Sequence, residues 1–255
     1  VNVLAAEWLK IRSIRSNHLI LAISLGAILL AVAVAMSAIA MYDSAPASMR
    51  AGARIAELEE VVLIVPQLAM GIMGVLAITS EYATGLIRTS FALVPGRRPV
   101  LAAKSVVVGG LGLVVGPVVV FATYAVSWWM LESRYPVAGF ADRLPTLVTS
   151  SLTVAVYALL GLGLGAVLRS AAGAIAILVG LVYVIPMIVG NLPEPWSERL
   201  GSVMLGALPR EITGEDLTSS VYGALLSPFA AAVALVLYAA VPLGSGLLLI
   251  RGRDV

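Results

Sequence analysis

The chain has 255 residues, 60% of them hydrophobic and only 12% charged, with a formal net charge of +2. A soluble domain carries roughly 25% charged residues, so this chain has too few to cover a water-facing surface. It holds no cysteine, which excludes disulfides and thiolate metal sites.

In chain order, the first element is a short mixed segment, residues 1–17. Leu4, Trp8 and Ile11 share one helical face, with Lys10, Ser13 and Asn17 opposite and Arg12 and Arg15 at the flanks. This pattern predicts an interfacial helix with a tryptophan at headgroup depth. Glu7 falls inside the apolar arc, which makes the pattern imperfect and points to a cation on a partner. A membrane crossing needs about 20 apolar residues. Six runs meet that length: Leu19–Met41, Val61–Thr79, Ser105–Leu131, Thr146–Leu168, Ala171–Leu192 and Ala224–Ile250. None contains Asp, Glu, Lys or Arg within these limits. The first run is too long for a signal-peptide core and reads as a retained span. The runs are continuous rather than alternating, which excludes barrel strands. The expected fold is therefore an all-α integral membrane protein forming one transmembrane domain over residues 1–255.

Only Arg169 and Ser170 separate the fourth and fifth runs, which predicts a tight helical hairpin. Prolines 66, 117, 186, 228 and 242 lie within runs and are expected to kink them. With six spans both termini share a side. That side collects ten basic and three acidic residues, net +7; the other has six basic and eleven acidic, net −5. Lysine and arginine accumulate in cytoplasmic loops, so both termini are expected to be cytoplasmic.

Two connections stand out. Residues 81–104, EYATGLIRTSFALVPGRRPVLAAK, run from an acid at the membrane exit, through a segment able to form a helix over Thr84–Leu93, to a break at Pro95-Gly96. A short helix tethered by two spans would transmit force to both; an ordinary positive-inside loop would look the same in charge. In the outer stretch 193–223, Leu200, Val203, Met204 and Leu208 fall close to one helical face, so this part is expected to lie on or dip into the outer leaflet, with Pro209 breaking it.

Catalytic motifs are absent. There is no GxxxxGK[ST], HExxH or GxSxG pattern, and the lone His18 sits at a membrane boundary, where it reads as interfacial. No catalytic residue or metal ligand is assigned. Gln67, Met70 and Gly74 share a face of the second span, and Tyr183 and Met187 a face of the fifth. These could line a pathway for lipophilic cargo, or serve as helix packing, as small residues and hydroxyls do in membranes. The run Gly161, Gly163, Gly165 reads as a packing seam.

Three segments resemble permease subunits of ABC-2 type ABC transporters: Glu7–Ser16 (EWLKIRSIRS), residues 81–104 with Glu81, Gly85, Arg88, Pro95, Arg97 or Arg98 and Lys104, and Leu205–Gly214 (LGALPREITG). Leu86 departs from the threonine many relatives carry. The resemblance implies a bacterial plasma-membrane exporter subunit for a lipophilic molecule, peptide or lipid, with no enzymatic activity of its own. It implies a second permease chain, expected to be an identical copy, and two copies of a separate ATPase that bind ATP and Mg; no nucleic-acid partner is expected. It further implies an ATPase-coupling role for Glu81, Tyr82, Gly85, Arg88, Pro95, Arg97 and Arg98, and a connecting helix carrying Glu7, Trp8, Lys10 and Arg12. Cargo would pass near Gln67, Met70, Gly74, Tyr183 and Met187. A non-transport sensor or anchor subunit and a secondary carrier are the alternatives.

Overall fold

The computed structural model describes residues 2–50, 52–86, 98–214 and 225–252. Among these residues there are helices and no strands. They are α1 (Val3–Ser13), α2 (Arg15–Ser44), α3 (Ala47–Arg50), α4 (Leu58–Thr84), α5 (Arg98–Leu131), α6 (Phe140–Leu168), α7 (Ala171–Gly190), α8 (Trp196–Gly201), α9 (Leu208–Thr213) and α10 (Pro228–Gly252). Six of them, α2, α4, α5, α6, α7 and α10, are long and apolar enough to cross a membrane, which makes this a multi-pass membrane protein.

Several helices overrun the apolar runs. At 1.5 Å per residue, the 34 residues of α5 reach about 51 Å, well beyond a hydrocarbon core of about 30 Å. The extra turns carry charges past the apolar limits: Lys104 lies within α5, Glu59 and Glu81 within α4, and Arg143 within α6. Thr84 closes α4 rather than opening a new helix, and Gly85 caps it with φ 74°. Residues 87–97, and with them Arg88, Pro95 and Arg97, lie outside the described residues.

Helix α6 is central and packs on α4, α5, α7, α9 and α10. Small residues set these approaches. A Cβ on Gly74 would fall 2.0 Å from the Ala158 carbonyl oxygen, and one on Gly116 would fall 2.2 Å from that of Ser151. On a third side a Cβ on Gly163 would come within 2.6 Å of Pro242. Lipid is as apolar as leucine, so close backbone contact rather than hydrophobic exclusion holds such helices together. Gly161 and Gly165 likewise face α4, so the glycine run is a seam, as expected.

The expected hairpin is present. Arg169 caps α6 in the left-handed region, φ 54°, and the Ser170 hydroxyl accepts from Gly173 N to start α7. Within α7, residues Gly180–Val184 form a π-helical segment. Pro186 has no N–H to give Val182, and a loosened turn ahead of it is the outcome. Two prolines act differently from the expectation. Pro228 begins α10 and Pro209 sits in the first turn of α9, positions where a missing N–H costs nothing. The stretch Trp196–Leu208 is also not one amphipathic face. It bends over residues 202–207, burying Met204 and Leu208 against the protein while Leu200 and Val203 remain partly exposed.

Candidate functional site

The helix ends sort into two groups. At one end, called the α1 end, meet α1, the C-terminal end of α4, the start of α5, and the Arg169 turn, whose guanidinium lies 5.0 Å from the Tyr82 ring centroid. The C-terminal half of α10 packs here too, through Leu243 and Leu247. At the far end stand Asp43, Glu57, Glu59, Glu60, Arg134, Arg143 and Arg210. This is the same partition that charge counting produces.

The α1 end holds a buried ion cluster. Lys104 Nζ donates to Glu7 Oε2 at 2.5 Å and to Glu81 Oε1 at 2.6 Å. Lys10 Nζ donates to Glu7 Oε1 at 2.7 Å and to Glu81 Oε1 at 2.9 Å. Side-chain exposure is 3% for Lys104, 3% for Glu7 and 5% for Glu81, but 39% for Lys10. Glu81 Oε2 is buried and, among the described residues, accepts no hydrogen bond. Burial opposes the charge on Lys10, yet its bonds to Glu7 and Glu81 outweigh that and hold the ammonium above the ordinary lysine value.

Two acids and two bases make the cluster neutral overall, and they come from three elements far apart in sequence. Glu7 therefore meets cations of its own chain, in place of the expected partner. It draws its side of α1 inward, so Glu7 and Ile11 are buried. Leu4 and Trp8 are exposed, as is Arg12, which splits the anticipated Leu4–Trp8–Ile11 face. Beside the cluster is a cavity of about 360 Å3, walled by Ile11, Ile14, Leu76 and Leu86 and reaching Glu7, Lys10, Glu81 and Lys104.

The other expected coupling residues fall nearby. Tyr82 is half-buried, and Gly85 and Arg98 are exposed at the two ends of the connection. Lys104 is legible in the sequence as a cation closing the 81–104 stretch; its burial has no signal there, because it stands one residue before an apolar run.

At the far end, Arg143 Nη2 donates to Glu59 Oε1 at 3.1 Å and to Glu60 Oε1 at 3.3 Å. Arg210 Nε donates to Glu60 Oε1 at 3.1 Å, and its Nη2 to Glu60 Oε2. The Thr149 hydroxyl reaches Pro209 O, and Leu226 N donates to Glu211 Oε2 at 3.2 Å. These bonds tie α9 to the start of α4 and to α6.

The residues expected to line a pathway are dispersed. Gln67 is buried and donates from Nε2 to Thr153 Oγ1 at 2.8 Å. Met70 is fully buried and Gly74 lies in the α4–α6 seam, so both make packing contacts. Tyr183 is half-buried in the π segment, and Met187 is exposed. It is Val182, not Tyr183, that shares a cavity with Gln67.

Comparison with known proteins finds no matching family model and no matching curated protein.

Proposed function

We propose that this chain is the membrane-spanning subunit of an ATP-driven exporter of the ABC-2 type, moving a lipophilic molecule, peptide or lipid across a bacterial plasma membrane. The observation that carries the reading is the buried cluster of Glu7, Lys10, Glu81 and Lys104. Glu81 stands just before the 85–97 connection and Lys104 just after it, so one ionic clamp joins both of its anchors to α1. A displacement applied to that connection reaches α4 and α5 together, and through the α6 seams the rest of the bundle. That is the mechanical property a subunit needs when a separate ATPase supplies the energy. In this reading the ATPase, in two copies, docks on the 81–104 stretch and holds ATP and Mg, and a second permease chain completes the pathway.

Two conformations suffice for transport, provided the cargo binds them with different affinity. A few kcal/mol between inward- and outward-facing states shifts their populations by orders of magnitude. The test is mild-detergent co-purification of the tagged chain from its native host, followed by an ATPase assay. An ATP-binding subunit with vanadate-sensitive activity is expected. Recovery of the chain alone, under conditions that preserve other transporter complexes, would refute the proposal in favour of a carrier or anchor.

A further inference from the structure

Between α4, α6, α7 and the start of α9 lies a second cavity, of about 180 Å3, whose wall carries two polar groups with unspent hydrogen-bonding capacity. Gln67 is 7% exposed and Ser150 4%. The Thr153 hydroxyl donates to the Ser150 main-chain carbonyl at 2.6 Å, so its proton is committed and it can only accept from Gln67. That settles the orientation of the amide: the Gln67 NH2 faces Thr153 and the carbonyl Oε1 faces away. Among the described residues, Oε1 receives no hydrogen bond and the Ser150 hydroxyl makes none. Neither is one of the sealed partnerless atoms of the interior, and the surface the two residues share is the cavity wall.

Tyr157 also lines the cavity; the rest of the wall, from Leu63, Ile64, Val182, Gly206 and Pro209, is apolar, and the charged Glu60 and Arg210 already pair with each other. Among the described residues, an ionised group placed against this wall would lose its hydration and meet no free counter-charge. A neutral group that donates to a carbonyl and exchanges a hydrogen bond with a hydroxyl loses nothing. Whole-ligand pockets run to about 300–1,000 Å3, so 180 Å3 accommodates a head and not the entire molecule.

We infer that this cavity binds the neutral amide- or hydroxyl-bearing head of an amphiphile, the head donating to Gln67 Oε1 and pairing with the Ser150 hydroxyl. The inference deepens the exporter reading, on which it rests for the claim that the occupant is cargo.

The test is fluorine NMR titration of para-fluorobenzamide into the full chain in lipid nanodiscs, without nucleotide. The comparators are para-fluorobenzoate and para-fluorobenzylammonium, which have similar size but carry charge. Saturable binding of the amide is expected, absent from empty nanodiscs and about tenfold stronger than that of either ion. Gln67→Leu should weaken it about tenfold, the loss of one well-placed hydrogen bond. Gly206→Val provides a variant that keeps the fold. Gly206 lines the cavity and a Cβ there meets nothing within 4 Å, so a side chain started at this position narrows the cavity and should weaken binding. No saturable binding, equal binding of the charged probes, or unchanged binding in both variants would overturn the inference. The measurement uses the chain alone, so such a result leaves the exporter reading to be judged by ATPase recovery.

Discussion

Replacing Lys104 by methionine isolates the energetics of the ion cluster. Lys104 supplies bonds of 2.5 and 2.6 Å to Glu7 and Glu81, and all three side chains are at least 95% buried. The substitution keeps the bulk and removes the charge. Both carboxylates are then left to Lys10, which is 39% exposed and bound to them already, so its screened contribution cannot grow to compensate. Among the described residues, Glu81 Oε2 has no partner even in the intact cluster. Removing one member of a buried pair costs about 3–5 kcal/mol, because an uncompensated charge remains. At about 2–4 °C per kcal/mol for a chain of this size, the melting temperature should fall by roughly 10 °C. Thermal unfolding of purified protein, followed by size-exclusion fluorescence, measures the shift. A cycle with Glu7→Gln should give a coupling of about 1 kcal/mol or more. The quadruple variant with all four side chains apolar should recover most of the loss, since a buried ionic group contributes little net stability against well-packed hydrophobes. An unshifted melting temperature in Lys104→Met together with zero coupling to Glu7 would refute the cluster as drawn.

Other outcomes follow from the same geometry. Glu81→Ala should uncouple ATP hydrolysis by the proposed complex without preventing membrane insertion; an unchanged hydrolysis rate would remove the clamp from the mechanism. Arg143→Ala should destabilise by about 3 kcal/mol because it strands buried Glu59, whereas Arg134→Ala, at the exposed pair with Asp43, should change the melting temperature little. Gly74→Leu should cost about 3 kcal/mol or more by driving a side chain into the Ala158 carbonyl, while Gly110→Ala, which meets nothing within 4 Å, should be neutral; comparison of the two melting curves decides it. The raised value of Lys10 means its contribution is fully present below 10.5 and is lost as pH rises through the higher folded value. The stability gap between the wild-type chain and Lys10→Met should therefore be flat at neutral to mildly alkaline pH and close only above that point.

The number of spans, their order and the pairing of their ends were all legible from the amino-acid sequence. Uncharged apolar runs of about 20 residues have one stable environment, and loop charges divide between two sides. The Arg169–Ser170 hairpin followed from the shortness of the gap, and the glycine run was readable as a seam. What each helix faces was not legible. In a soluble helix the buried side is the apolar side, but here lipid and core are equally apolar, so periodicity does not mark the inward face. Hence Gln67 and Gly74, on one face by spacing, part company: one borders a cavity and the other a backbone contact. Glu7 and Lys104, 97 residues apart, meet only because α1 folds against α5, and no local pattern encodes that distance. Arg143 and its acids, at the end away from α1, likewise read as loop charges until α4 and α6 extend past their apolar limits and bring them into contact. Hydrophobicity decided which segments enter the membrane, and close packing of small residues with pairing of buried charge decided how they meet.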